Sequence, residues 1–473
     1  MFFNSINFAI FFPIVFIIYW SLKNKPLIYQ NIFILISSYI FYAWWDWRFL
    51  SLIILSTIVD YFVGIKMSNS NSNQKKKNYL LFSIFINIGL LFVFKYFNFF
   101  ISSFEQVIHS VGLPFNTKTL NIILPVGISF YTFQTLSYSI DIYKGKIKHT
   151  NDFISFAGFV SFFPQLVAGP IERASRLLPQ FLHKRTFNYE VAITGLSLIC
   201  YGLFKKIVIA DRLAIYVNNV FGNIDNANTI SLLLAIIFFS FQIYADFSGY
   251  SLIARGTAKL LGFNLIINFN KPYIADNIQD FWKRWHISLS TWFRDYVYIP
   301  LGGNKVLKWR WYYNILITFL ISGIWHGANW TFLIWGLIHG LYLIFYMEIK
   351  QRNILQDNMI ASIKTLNIFI VYTCVTFAWI FFRANNIDHA IEYIIKIFAF
   401  DFSFNLVQLC ADKGPTNLII SLFSIFLLYI TYMLPSDLSF KKISSHLIFN
   451  IILIIIITLI GVNGKTEFIY FQF

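Results

Sequence analysis

Two histidines occupy settings in which a polar side chain is costly. His326 lies in the apolar string SGIWHGANW, and His286 lies in DFWKRWHISLSTWFRDYVYIPLGG, where charged, hydroxyl and indole side chains are interleaved. An ionisable residue within a membrane segment is by default a functional candidate, and a neutral imidazole is the commonest general base near neutral pH. The two histidines therefore favour a membrane enzyme over a scaffold.

Two other interpretations of these histidines stay open at this point. A metal site needs three or four ligands at suitable spacing, and the sequence has neither an HExxH motif nor a cysteine cluster, since Cys200, Cys374 and Cys410 lie far apart. Catalysis is accordingly favoured over metal binding, and we predict no metal and no bound cofactor. In the remaining interpretation, each ring is only hydrogen-bonded between helices.

Three further polar strings fall within apolar surroundings, at 124–145, 162–181 and 241–263. Taken singly, each is more typical of hydrogen bonding between membrane helices. Together they indicate a polar interior, which either an enzyme cavity or a transport path would explain. A polar-solute transporter is therefore the alternative from a different functional class.

The composition is that of a membrane protein. Of 473 residues, 58% are hydrophobic and 12% are charged, and the charged fraction is about half that of a soluble domain. The long apolar runs predict an all-α, polytopic fold with about eleven crossings plus re-entrant or interfacial helices, because about 20 apolar residues span the hydrocarbon core. We predict a single integral-membrane domain over 1–473. The net charge of +16 is attributed to short loops rather than to nucleic-acid binding.

The spans expected from apolar length and periodicity are 6–22, 28–44, 48–65, 79–99, 121–143, 153–170, 191–221, 229–261, 311–325, 329–347, 365–382, 417–435 and 446–462. Residues 262–310 are too polar for such a span. Irregular or charged backbone at membrane depth is tolerated only where protein or a watery cavity surrounds it, so we interpret this segment as re-entrant or interfacial. Gly323 and Gly327 flank His326 and are predicted to break its helix, so that the imidazole faces a cavity.

Lysines in short loops predict the orientation in the membrane. Lys23 and Lys25 follow the first span, residues 75–77 follow the third, and Lys441 and Lys442 precede the last. These loops belong in the cytoplasm, which places both termini outside. The first twenty residues lack a basic n-region and a small-residue cleavage site, and we interpret them as a retained helix.

The order of these strings resembles that of the membrane-bound O-acyltransferase family, in the branch that O-acetylates alginate and peptidoglycan. The matching strings run from the N-terminal region to the last residue and are densest at 124–340. They are FFPQLVAGPIER, FQIYADFSGYSLIARG, NFNKPY, FWKRWHISLSTWFRDYVYIPLGGN, IWHGANWTFLIWGLIHG and the terminal FIYFQF.

This resemblance implies a helical bundle around a tunnel that crosses the membrane, with the acyl donor entering from inside and the acceptor from outside. It implies His326 of the WHG motif as the catalytic histidine and His286 as the second motif histidine. We hypothesise that His326 is the base that activates a hydroxyl. His286 would orient the donor or acceptor, or donate a hydrogen bond to the developing oxyanion. Trp285, Ser288 and Asn329, which lie beside the two histidines in sequence, are the predicted substrate contacts.

Tyr470 in the terminal string is a possible acyl carrier. A phenol has a pKa of about 10, so its acyl ester is activated and can pass the acyl group on. The string also resembles the aromatic-tyrosine terminus of a small protein that serves a related D-alanyl transferase. The alternative is an aromatic anchor at the membrane interface, where Tyr and Trp are common.

The expected function is transfer of acetyl from cytoplasmic acetyl-CoA, across a bacterial inner membrane, for O-acetylation of peptidoglycan or another exported polysaccharide. The expected partners are acetyl-CoA, an extracytoplasmic acetyltransferase, the polysaccharide acceptor and the lipid bilayer, without nucleic acid. Within the same class, the alternative is a D-alanyl transferase for teichoic acids. The presence of FIYFQF on this chain argues against it, because the resembled system keeps that terminus on a separate protein.

Overall fold

The computed structural model describes residues 1–114, 119–120, 123–167, 169–352, 360–403, 405–411, 413–435, 438, 440, 442–462 and 468–469. These ranges contain α-helices, short 3-10 and π segments and loops, and no β-strand. Nine helices within them are long and apolar enough to cross a membrane. The predicted all-α, multi-pass fold is confirmed. The number of eleven crossings is not confirmed, since two further apolar helices, Leu27–Ala43 and Phe153–Leu166, are shorter.

In chain order, the α-helices are α1 (Ile6–Ser21), α2 (Leu27–Ala43), α3 (Leu50–Ser68), α4 (Asn73–Leu91), α5 (Phe97–Ser110), α6 (Ile128–Tyr143), α7 (Phe153–Ser161), α8 (Phe163–Leu166), α9 (Ala174–Leu182), α10 (Tyr189–Leu203), α11 (Asp211–Gly222), α12 (Thr229–Leu260), α13 (Ile278–Arg284), α14 (Ile287–Phe293), α15 (Lys308–His326), α16 (Trp330–Gln351), α17 (Ile360–Arg383), α18 (Ile387–Phe398), α19 (Leu406–Leu409), α20 (Pro415–Tyr432) and α21 (Ile443–Ile460). They fall into two compact units. Unit 1 comprises Met1–Leu196 and Ala254–Ile266, and unit 2 comprises Ser197–Ile253 and Ile267–Phe473. The expectation of one domain over the whole chain, and of a central tunnel, stays a prediction.

A buried polar network ties three helices of unit 1 together. The carboxylate of Asp60 on α3 accepts hydrogen bonds from the hydroxyls of Ser83 on α4 and Ser139 on α6 and from the side-chain amide of Asn87. The hydroxyl of Thr135 on α6 in turn donates to Asn87. All of these side chains are fully buried, and buried polar groups are stable only when they are hydrogen-bonded. The network therefore fixes α3, α4 and α6 against one another.

Close helix packing and a buried ion pair organise unit 2. A Cβ atom on Gly202 of α10 would lie 2.6 Å from the carbonyl oxygen of Gly249 on α12, so the two backbones approach as closely as small residues permit. Directly after α10, the chain forms a π-helical segment, Phe204–Ala210. In this segment the Lys206 ammonium lies 2.9 Å from the Asp211 carboxylate and 2.8 Å from that of Asp246 on α12.

The polar stretch between α12 and α15 contains no spanning helix. It forms two seven-residue helices, α13 and α14, and a π-helical segment, Arg294–Tyr298. The prediction that 262–310 lacks a full crossing is thus confirmed. The short helices turn sharply at His286, which lies between them.

Candidate functional site

His286 is held in an unusual backbone conformation within unit 2. It caps the N-terminus of α14 with φ 43° and ψ 53°, in the left-handed region, and its side chain is fully buried. Such angles cost energy for a residue with a Cβ atom and cluster at functional sites. Backbone hydrogen bonds on both sides stabilise the turn: the Ile287 N–H donates to the Asn268 carbonyl, and the Asn270 N–H donates to the Arg284 carbonyl, both at 2.9 Å.

The side chain of Asn268 determines the tautomer of His286. Its Oδ1 accepts from the Ser288 hydroxyl at 2.8 Å and from the Ser288 backbone N–H at 3.2 Å, and it lies 3.1 Å from His286 Nδ1. A backbone N–H can only donate, so the atom facing it must be the amide oxygen and not the amide nitrogen. His286 Nδ1 must then carry a hydrogen and donate it to the same oxygen. The neutral ring consequently keeps its lone pair on Nε2.

That lone pair lies in an aromatic enclosure. The ring centroids of Phe247 and Trp325 lie 4.5 and 6.1 Å from the His286 centroid, and Nε2 has no hydrogen-bond partner in the described part of the chain. Burial lowers the pKa of His286 from 6.5 to about 3, because the surrounding rings cannot solvate an imidazolium. At physiological pH the ring is a neutral hydrogen-bond acceptor, and orphaned acceptors of this kind call for a functional explanation.

His326 is the last residue of α15 and is buried among aromatic rings. Its ring centroid lies 4.9 Å from that of Trp325, 5.0 Å from Trp335 and 5.3 Å from Phe382, and 3% of the residue is exposed. Trp325 therefore contacts both motif histidines, and the catalytic roles of the two stay predictions.

The predicted break of the helix at Gly323 is wrong. Helix α15 runs without interruption to His326, and only Gly327, with extended backbone at φ −161°, ends it. A Cβ atom on Gly323 would lie 2.3 Å from the carbonyl oxygen of Phe332. This glycine therefore lets α16 approach α15 and does not bend the helix. That His326 faces a cavity stays a prediction.

The predicted substrate contacts differ in what surrounds them. Trp285 is buried, with its ring centroid 5.1 Å from those of Phe269 and Trp379, so it belongs to the same enclosure. Ser288 is bonded to Asn268. Asn329 caps α16: its Oδ1 accepts from the Thr331 N–H, and its amide donates to the Asn385 carbonyl at 2.7 Å. These bonds explain Asn329 structurally, and its contact with substrate stays a prediction. Tyr470 lies outside the described residues.

Two residues of this region are not among the predicted site residues. Asn268 is uncharged and lies far from His286 in sequence, so only the fold reveals its contact with the ring. His339 on α16 is fully buried, with its ring centroid 4.9 Å from Trp335 and 5.0 Å from Trp282. Neither of its ring nitrogens has a hydrogen-bond partner within the described ranges. The sequence does carry a sign of His339, because its imidazole lies in the apolar string WGLIHG, as the imidazole of His326 lies in an apolar string.

Metal binding finds no donor set in what the structure describes. No three His, Cys, Asp or Glu side chains come together there as a metal site. The prediction that the protein carries no metal and no bound cofactor stays a prediction.

Comparison with known proteins decides the family. Residues 39–386 match the membrane-bound O-acyltransferase family. The chain belongs to this family. It is 38% identical over 402 residues to the probable alginate O-acetylase of Azotobacter vinelandii, covering 85% of this chain and 78% of that protein. It is 37% identical over 412 residues to the peptidoglycan O-acetyltransferase of Helicobacter pylori, covering 81% of this chain and 77% of that protein.

The teichoic acid D-alanyltransferase of Bacillus subtilis is a more distant relative, 30% identical over 49% of this chain and 61% of that protein. The predicted family is thus confirmed, and the protein is a membrane O-acetyltransferase of the alginate and peptidoglycan type rather than a solute transporter.

The bond between Asn268 and His286 predicts different effects for two substitutions. Asn268→Ala removes the acceptor and should lower the O-acyl transfer rate by about 100-fold at every pH, since the ring loses its orientation. Asn268→Asp keeps an oxygen there but favours the imidazolium. Its activity should be partly retained at high pH and should fall as the pH drops. The pH–rate profiles of both purified variants test this. Equal, pH-independent losses would show that Asn268 supports only the fold.

Proposed function

We propose that the protein moves acetyl from cytoplasmic acetyl-CoA to a hydroxyl on the outer face of a bacterial inner membrane, for O-acetylation of peptidoglycan or another exported polysaccharide. The observation that carries this proposal is the pair of buried imidazoles, His286 and His326, which both contact Trp325. It is supported by relatives that are named as alginate and peptidoglycan O-acetyltransferases. Both termini lie outside the cytoplasm in this proposal, as the loop lysines predict.

His326 acts as the general base in the proposed reaction. A thioester carbonyl is already electrophilic, whereas a neutral hydroxyl is a weak nucleophile until its proton is removed. His326 takes the hydroxyl proton as the oxygen attacks the acetyl carbon. The carbon–sulfur bond then breaks, the acetyl ester forms, and the leaving thiolate takes the proton back from the imidazolium. Proton and electron pair are balanced, and no oxidant or metal is needed.

His286 orients one of the reactants in this scheme. Its Nδ1–H is already donated to Asn268, and Nε2 carries a lone pair. A lone pair cannot donate to an oxyanion, so the oxyanion-donor role that the sequence left open does not fit this tautomer. Acceptance of a hydrogen bond from a hydroxyl or amide of a substrate does fit. Trp285, buried beside it, would supply an apolar wall for the same substrate.

Tyr470 is the proposed first acceptor of the acetyl group. Its phenol would take acetyl in the step above and yield an aryl ester, which a second hydroxyl, on the polysaccharide or on an extracytoplasmic acetyltransferase partner, would attack with release of the phenol. Support comes from its neighbours Phe468 and Ile469, which are buried within unit 2, with 0% and 3% exposure. A membrane-interface anchor would instead be expected to expose its aromatic residues to lipid.

Removal of the base should abolish transfer without unfolding the protein. In vesicles supplied with labelled acetyl-CoA, we expect His326→Gln to lower CoA release and label incorporation by about 100- to 10,000-fold, the usual contribution of general-base catalysis. His446→Gln is a matched control, because His446 is also a buried histidine of unit 2 but is bonded to Ser197. Wild-type turnover by His326→Gln would contradict the assignment.

Loss of the phenol should separate the two steps. Tyr470→Phe keeps the aromatic ring and removes only the hydroxyl, so the covalent label on the C-terminal peptide should disappear and delivery to the acceptor should fall. Digestion and mass spectrometry of labelled protein measure the first effect, and acceptor-bound label measures the second. Undiminished delivery by Tyr470→Phe would rule out the carrier while leaving the base assignment intact.

A further inference from the structure

The chain turns back into unit 2 after its last helix. The Ile460 carbonyl, at the end of α21, accepts a hydrogen bond from the Arg212 guanidinium at 3.0 Å. Two residues later, the Val462 N–H donates to the Ile207 carbonyl at 3.2 Å. Ile207 belongs to the π-helical segment Phe204–Ala210, where the regular backbone bonding of α10 is interrupted. The described residues after α21, which are 461–462 and 468–469, are called the C-terminal segment, and its start is therefore hydrogen-bonded to unit 2.

Phe468 and Ile469 lie against the aromatic wall of the His286 site. The Phe468 ring centroid is 4.4 Å from that of Tyr250 and 5.6 Å from that of Phe247, both on α12. Phe247 in turn lies edge-on to His286, with centroids 4.5 Å apart. Two rings in succession, Phe468 and Phe247, thus connect the C-terminal segment with the imidazole, and burial of Phe468 removes a large apolar surface from solvent.

One backbone hydrogen bond holds this segment to a charged group. The Ile469 N–H donates to Asp246 Oδ2 at 2.7 Å, while Asp246 Oδ1 lies 2.8 Å from the Lys206 ammonium. Lys206 also lies 2.9 Å from Asp211, so the two carboxylates share this ammonium. An N–H that donates to a carboxylate oxygen makes a short, charge-assisted hydrogen bond, and the Ile469 N–H makes such a bond with Asp246.

We infer that Asp246 is a positioning residue, which holds the C-terminal segment beside the His286 site, with Lys206 balancing its charge. The inference rests on the proposed function in one respect, namely that the segment is held there in order to present an acyl-accepting side chain. The anchoring itself stands on the contacts of Asp246. Asp211 pairs with the same lysine, but the Ile469 N–H donates to Asp246.

This difference provides a matched pair of variants, Asp246→Ala and Asp211→Ala, which shorten the same side chain within the same cluster. Hydrogen–deuterium exchange of the full chain in lipid nanodiscs, resolved to single residues at the C-terminus by mass spectrometry, reads the Ile469 amide directly. The wild-type amide should be protected. In Asp246→Ala its exchange should be roughly 10- to 100-fold faster, as expected for loss of a hydrogen bond to a charged acceptor. In Asp211→Ala it should stay within about threefold of wild type.

Three results would overturn the inference. The first is an unprotected Ile469 amide in the wild type, and the second is unchanged protection of that amide in Asp246→Ala. The third is an equal loss of protection in Asp211→Ala and Asp246→Ala, which would show that the cluster supports the fold and does not anchor this segment specifically. If Asp246→Ala does not fold, Asp246→Asn takes its place. This variant keeps an oxygen that can accept from Ile469 but loses the negative charge. The Ile469 amide in it should therefore exchange faster than in the wild type and more slowly than an unprotected amide. Exchange at the wild-type rate would contradict an anchor that needs the charge. Because exchange needs no turnover, the two proposals can fail separately: a protected Ile469 amide in a protein that releases no CoA from acetyl-CoA would defeat the proposed function and leave the anchor standing.

Discussion

The candidate site depends on a single oxygen atom. Asn268 Oδ1 accepts from the backbone N–H of Ser288, and since an N–H can only donate, this bond fixes the orientation of the amide. The orientation fixes Nδ1 of His286 as a donor, which in turn leaves Nε2 as the acceptor. A backbone group two residues from the histidine thus determines which ring nitrogen carries the lone pair. The left-handed conformation of His286 brings the backbone and the ring to the same oxygen.

The aromatic surroundings make this arrangement effective. Burial among rings lowers the pKa of His286 to about 3, so the ring does not compete for protons at physiological pH. The indole of Trp325 contacts His286 and His326 together, and Trp335 contacts His326 and His339. Rings of this size fill space with few degrees of freedom. They therefore hold the imidazoles in place, as catalysis by pre-positioned groups requires.

The sequence was sufficient for some of these features and insufficient for others, for physical reasons. Apolar run length predicts membrane helices well, because the bilayer imposes both length and composition. It predicted the 32-residue helix Thr229–Leu260 as one span, 229–261, but it could not show that the span 191–221 contains the π-helical segment Phe204–Ala210. Gly323 was misjudged because a glycine either breaks a helix or admits a neighbouring backbone, and the difference lies in the position of Phe332. The hydrogen bond of Asn268 to His286 could not be predicted, because it depends on a turn that sequence patterns do not specify.

The most direct test of the account is the protonation state of His286 in the intact protein. Nitrogen-15 NMR of histidine-labelled protein in lipid bilayers, with His286→Gln to assign the signal, distinguishes protonated from unprotonated ring nitrogens. The account predicts a neutral ring with hydrogen on Nδ1 and none on Nε2, unchanged between about pH 8 and about pH 5. A ring protonated on Nε2, or one that becomes an imidazolium within that range, would contradict it.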